Sequence, residues 1–192
     1  DQLVADGLSQ ARITAEVLDT NGNGIPDGRT VTFTVTSGDI DKNQAGTQTT
    51  FTASTSGGFA YAYLTSPVRI GICTVTGTSD GVSGTAQVTF IPGPVTAISM
   101  IPSPQSLVAD GISQSKILIK ALDANANEVS GEVITLSMAA GAGTLSSPTI
   151  TTSAGGAELI YTASTTVGIE TVRAEATNGV TATVDITLVQ AV

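Results

Sequence analysis

"LVADGLSQARITAEVLDTNGN", Leu3 to Asn23, returns as "LVADGISQSKILIKALDANAN", Leu107 to Asn127, 104 residues later and without a gap. A repeat of this length limits the fold more than any single motif does, because each copy must be a unit with its own core. The second half then follows the first strand by strand. "GRTVTFTV" (Gly28 to Val35) answers "GEVITLSM" (Gly131 to Met138), and "GICTVTG" (Gly71 to Gly77) answers "GIETVRA" (Gly168 to Ala174). The offset shrinks because the second copy has shorter loops.

Between the copies lies "IPGPVTAISMIPSPQS", Ile91 to Ser106. Each proline of "PGP" fixes its own backbone and restricts the residue before it, so this stretch reads as a short stiff linker. The expected domains are residues 1–92 and 93–192. "VTAISMI" opens the second copy as its first strand, whereas the first copy starts at Asp1, already past the equivalent point. The chain therefore reads as cut from a longer one, with a first domain that lacks its opening strand.

Within each copy the apolar residues alternate with period two, the mark of a strand buried on one face. Val31, Phe33 and Val35 alternate with Thr30, Thr32, Thr34 and Thr36, and Ile117, Ile119 and Ala121 with Lys116, Leu118 and Lys120. Short strands separated by Gly, Asn, Asp and Pro turns predict an all-β chain: two tandem immunoglobulin-like antiparallel β-sandwiches. Aromatic residues are 4% and Trp is absent, so the cores must be built from Val, Ile, Leu and Ala with an occasional Phe or Tyr.

Composition removes whole classes of chemistry. The net charge of −9 repels phosphate backbones and anionic lipid, so neither nucleic acid nor direct membrane insertion is expected. No stretch approaches the roughly 18 apolar residues of a membrane span. There is no histidine, the usual general base and transition-metal ligand. Cys73 is alone, which excludes an internal disulfide and a cysteine zinc site. No "GxSxG" elbow occurs. An enzyme is not expected, and the alternative that touches catalysis is a pair of accessory domains of an extracellular enzyme whose catalytic domain lies elsewhere in the parent chain.

"ADG" (Ala5 to Gly7; Ala109 to Gly111), then a strand ending in "LD" (Leu18, Asp19; Leu122, Asp123), an Asn-rich turn, and "VTFTV" or "ITLSM" form a combination present in both copies. It resembles the bacterial immunoglobulin-like domains of the group 1 type, which occur in tandem in intimins, invasins and related surface adhesins. The second copy departs from the pattern where Ala126 and Glu128 replace turn glycines and no proline follows the Asn pair. The resemblance implies a rod segment on the bacterial surface or in a secreted adhesin, stacked on neighbouring immunoglobulin-like domains and holding a receptor-binding tip away from the cell.

"LDTNGNGIPDG" raises the question of a metal. Asp19, Asn21, Asn23 and Asp27 offer oxygens at the spacing of a calcium loop, but Thr30 falls where such a loop needs its bidentate Glu. The second copy keeps Asp123, Asn125 and Asn127 without the later carboxylate. Asn, Asp and Gly also reverse a chain between strands by bonding their own backbone. We expect a turn, with weak calcium binding as the alternative and no other cofactor. Asp6 and Asp110 read as turn residues for the same reason.

A second candidate is "GGFAYAYLTS", Gly57 to Ser66, which puts Phe59, Tyr61 and Tyr63 on one strand face. Aligned through Gly71 and Gly168, Tyr61 matches the charged Glu158, which turns the aromatics outward. Three readings stay open: an exposed patch binding a glycan or a host protein, an inert cover for the sheet, or, after a one-residue slip, core. Cys73 shares a strand face with Val75 and is expected to be buried and inert. Lys116 and Lys120 fall on the outward face, away from any isopeptide chemistry.

Overall fold

The computed structural model describes residues 1–42 and 48–191. It divides into two compact units, Asp1–Pro92 and Gly93–Val192. Each is a two-layer β-sandwich, and no helix occurs among the described residues.

In the first unit the strands are β1 (Gln2–Val4), β2 (Gln10–Glu16), β3 (Thr30–Val35), β4 (Asp39–Asp41), β5 (Thr50–Ser54), β6 (Phe59–Thr65), β7 (Gly71–Ser79) and β8 (Val82–Ile91). One sheet runs β1-β8-β7-β3-β5, the other β2-β6-β4. The alternation seen in the sequence sets the layers: Val31, Phe33 and Val35 point into the core with Val75, Val88 and Phe90, while the intervening threonines face out. β7 and β8 form a hairpin closed by Asp80 and Gly81, whose φ values of 49° and 82° match the twist of the flanking strands.

The second unit repeats this plan with β10 (Ser106–Val108), β11 (Gln114–Leu122), β12 (Val133–Ala140), β13 (Thr144–Leu145), β14 (Thr149–Thr151), β15 (Ala157–Thr162), β16 (Gly168–Ala176) and β17 (Thr181–Val189), preceded by β9 (Ala97–Ser103). Its sheets are β10-β17-β16-β12-β14 and β13-β15-β11-β9. Each strand from β10 to β17 has a counterpart in the first unit. β9 has none there among the described residues.

One departure from a purely antiparallel sandwich occurs in both units. β1 pairs parallel with β8, Leu3 opposite Phe90, and β10 pairs parallel with β17, Leu107 opposite Leu188. The chain then crosses to the other sheet at "ADG". Asp6 Oδ1 accepts the N–H groups of Leu8 at 2.8 Å and Ser9 at 2.6 Å, and Asp110 Oδ1 accepts those of Ile112 at 2.9 Å and Ser113 at 2.7 Å. Each carboxylate fixes the corner that leads from one layer into the other. The N–H and hydroxyl of Ser9, with the Leu8 N–H, hold the Asp6 carboxyl far below its usual range.

Candidate functional site

The Asn-rich stretch is a side-chain-stapled turn. Asp19 Oδ1 accepts the backbone N–H of Asn21 at 2.8 Å and of Asn23 at 2.9 Å, and Asn23 Nδ2 donates to Asp19 Oδ2 at 3.2 Å. Gly22 supplies the left-handed residue, φ 82°. Asp27 is tied elsewhere, accepting the Gly57 N–H at 2.6 Å. The second unit builds the same turn: Asp123 Oδ1 accepts Asn125 N–H at 2.9 Å and Asn127 N–H at 2.8 Å, and Ala126 takes the left-handed place of Gly22 with φ 60°. In both, backbone and side-chain N–H donors converge on the carboxylate. The Asn23 N–H and side-chain amide hold the Asp19 carboxyl below its ordinary value. Among the described residues no group of three His, Cys, Asp or Glu side chains is arranged to hold a metal ion.

The other departure in this region, Glu128, has a structural partner. Its Oε2 accepts the Gly155 N–H at 2.7 Å and its Oε1 pairs with half-buried Lys120. Where the first unit has Gly24, the backbones of Gly24 and Gly58 pack directly, and a β-carbon on Gly58 would crowd the Gly24 Cα. Lys116, by contrast, is exposed and pairs with Glu158 at 3.2 Å.

On β6 the aromatic stripe faces solvent. Ala60, Ala62 and Leu64 are buried, while Tyr61 is 43% and Tyr63 37% exposed and Phe59 is half-buried. Phe59 and Tyr61 stack at a centroid separation of 6.5 Å, and the Arg12 guanidinium lies 5.1 Å from the Tyr61 ring centre. Arg12 reaches there because β2 pairs with β6 and places it opposite Tyr63, on the same face. The result is a small amphipathic surface of rings and a cation, chemically suited to stacking against a sugar ring or a flat apolar partner group.

Cys73 is buried without solvent contact, as its strand position predicts. Its counterpart in the repeat is Glu170, also buried, and the counterpart of Leu64 is Tyr161. The Tyr161 hydroxyl donates to Glu170 Oε2, which also accepts the Gly143 N–H at 2.8 Å, and Oε1 accepts the Ala142 N–H at 3.1 Å. A β-carbon on Gly143 would collide with this carboxylate and with the Tyr161 ring. Burial pushes the Glu170 carboxyl up, but the hydrogen bonds from Ser164, Tyr161, Ala142 and Gly143 outweigh it and hold the group below its ordinary value. Burial and the neighbouring carboxylate raise the Tyr161 phenol well above its own. The cluster fastens the loop after β12 onto the core. Its sequence signal is a charged residue at an inward position, visible once "GICTV" is set against "GIETV".

Residues 97–189 match the family model of the bacterial Ig-like domain, group 1, and residues 1–93 match that of invasin, domain 3. No curated protein matches the chain. Among solved structures, InvD of Yersinia pseudotuberculosis is similar over 99% of this chain and 55% of its own, at 20% identity and a TM-score of 0.66. Invasin, a bacterial integrin-binding protein, is similar over 100% of this chain and 38% of its own, at 20% identity and a TM-score of 0.50. The chain thus spans little more than half of one and well under half of the other. At such identities the likeness shows the fold, two immunoglobulin-like sandwiches. A glycosyl hydrolase family 2 member from Bacteroides cellulosilyticus aligns over 92% of this chain and 24% of its own, at 15% identity and a TM-score of 0.49, a level that bears no functional argument.

Proposed function

One half of this chain belongs to the bacterial Ig-like domains of group 1 and the other to the invasin domain 3 family, and on that premise we propose that the pair is a spacer in the stalk of a surface or secreted adhesin, without catalysis of its own. The observation that carries the reading is what the two copies share. Asp6 and Asp110 fix the same corner, and Asp19 and Asp123 staple the same turn. Repetition retains the frame. The features that differ, such as the aromatic stripe opposite Glu158 and Ile160, occur in one copy only. A stalk also needs stiff junctions, and Pro92 and Pro94 restrict the backbone on both sides of Gly93. The location that follows is extracellular, with neighbouring immunoglobulin-like domains as partners.

The test is replacement in the parent adhesin. Exchanging both units for an unrelated immunoglobulin-like pair of equal length should preserve attachment to host cells, and deleting them should weaken it. Attachment lost on exchange would sink the spacer reading.

A second reading rests on Phe59, Tyr61, Tyr63 and Arg12, whose exposed face suits a glycan or a host protein. Tyr61→Ala with Tyr63→Ala would then abolish binding on a glycan array or to host-cell extract while leaving the melting temperature unchanged. An array equally silent for the parent chain and the variant removes this reading.

A further inference from the structure

The chain contains Asn-Gly pairs at Asn21-Gly22, Asn23-Gly24 and Asn178-Gly179. Glycine has no side chain to shield its nitrogen, so that nitrogen can approach the amide carbon of the asparagine before it. Asparagine is one of the thermolabile residues, and what its side chain is bonded to decides which pair is free to react.

Asn23 and Asn178 are held. Asn23 Nδ2 donates to Asp19 Oδ2 at 3.2 Å. Asn178 Nδ2 donates to the Val95 carbonyl at 2.8 Å, and its Oδ1 accepts the Val180 N–H at 3.3 Å. Asn21 is different: its backbone N–H donates to Asp19 Oδ1, but its side chain is exposed and makes no hydrogen bond among the described residues. The Gly22 N–H donates to the Asp19 carbonyl at 3.0 Å and the Gly179 N–H to the Ala176 carbonyl at 2.9 Å. That bond restrains both pairs alike, so the side chain makes the difference.

The second unit holds the contrast within the same molecule. Asp123 staples the same turn around Asn125 and Asn127, yet Ala126 and Glu128 follow them where Gly22 and Gly24 follow Asn21 and Asn23. A β-carbon there stands over the nitrogen that would have to attack.

We infer that Asn21 is a site of spontaneous covalent modification, at which the first turn converts its asparagine to aspartate and isoaspartate through a cyclic imide. The Gly22 nitrogen attacks Cγ of Asn21. The N–Cγ bond forms as the Cγ–Nδ2 bond breaks, and ammonia leaves with the proton that Gly22 gives up. Water then opens the imide. Cleavage of the N–Cγ bond leaves aspartate; cleavage at the main-chain carbonyl of Asn21 leaves isoaspartate, whose main chain runs through Cβ and Cγ. Either product adds a carboxylate beside Asp19 to a chain whose net charge is already −9, and the isoaspartyl form lengthens the main chain inside the turn.

The test is incubation of the full chain in warm, mildly alkaline water enriched in heavy oxygen, followed by peptide mapping with fragmentation that separates aspartate from isoaspartate. Heavy oxygen should enter at Asn21 as both products, about tenfold faster than at Asn23 or Asn178, where hydrogen bonds must first break. Asn125 should stay unlabelled over the same period. Gly22→Ala should suppress the reaction at Asn21 with the circular dichroism spectrum retained, since a β-carbon there meets no neighbour and Ala126 holds the same left-handed place. Equal rates at Asn21, Asn23 and Asn178 would overturn the proposal, as would no label at Asn21, aspartate without isoaspartate, or an unchanged rate in Gly22→Ala.

Discussion

Ile117, Ile119 and Ala121 on β11 are sealed from solvent, whereas their counterparts, Ile13 and Ala15 on β2 and Val17 just after it, are half-buried. The two strands are nearly the same strand, with similar patterns and the same cross-strand partner to one side. What differs is the neighbour on the other side, β9 in one unit and a cavity in the other. Burial is therefore conferred on a residue by whatever lies across from it, and the same apolar face is core in one setting and groove in the other. A second contrast lies in the cores: Leu64 and Cys73 are buried apolar members of the first, where their counterparts Tyr161 and Glu170 form a hydrogen-bonded cluster. The first pair needs only volume. The second needs every partner present.

The sharpest way to break this comparison is at that second contrast. Glu170→Ala leaves the Tyr161 hydroxyl and the N–H groups of Ala142 and Gly143 without their acceptor, and should destabilise the second unit by about 3–4 kcal/mol. Cys73→Ala removes a small buried group and should cost the first unit about 1 kcal/mol. Urea unfolding of the two variants would measure both, and equal losses would show that the cluster is no more demanding than the apolar contact.

Next come the strand faces. Ile117→Ala should cost about 3 kcal/mol, since the residue is fully buried, and Ile13→Ala about 1 kcal/mol, since part of its surface already meets solvent. A comparable cost at both positions would mean that the groove is closed in solution.

Acid should separate the units as well. Glu170 has a folded pKa below its ordinary 4.5, so its ionised form stabilises the fold at neutral pH. That contribution is present above 4.5 and is lost as the pH falls through the folded value. Glu170 and the likewise lowered Glu128 have no carboxylate counterpart in the first unit, where Cys73 and Gly24 stand, so both add acid sensitivity that is particular to the second unit. Glu170→Gln should flatten the fall in stability below pH 4.5 as followed by circular dichroism, and an unchanged slope would assign the acid response to other groups.

A smaller effect sits in the stapled turns. Ala126→Gly relieves a left-handed alanine and should raise the stability of the second unit by about 1 kcal/mol, while Gly22→Ala should lower that of the first by a similar amount. Calcium is expected to do least: melting temperatures with added calcium and with excess chelator should agree. A calcium-dependent rise removed by Asp19→Ala would recast the first turn as a metal site.

Much of this molecule was determined by its sequence alone, for reasons that are local. Period-two alternation in "VTFTV" and "KILIKA" specifies which side chains go in, because successive residues of a strand point to opposite faces. Asp and Asn before a left-handed residue specify a reversal, because their side chains bond the backbone two to four residues on. For Tyr61 the repeat pointed outward, since its counterpart is Glu158, yet a one-residue slip left a core reading open until the pairing of β6 with β2 fixed the face. Other features belong to the tertiary structure. Glu170 sits inside because donors from Ala142, Gly143, Tyr161 and Ser164 meet there, and nothing in "GIETV" names them. β1 lies parallel to β8, Gln2 opposite Thr89, across most of a domain's length. Among the described residues β9 covers β11 while a cavity lies beside β2, and nothing in the patterns of the two strands tells them apart. Pattern within a strand states which face seeks cover, and only the assembled sheets decide what, if anything, provides it.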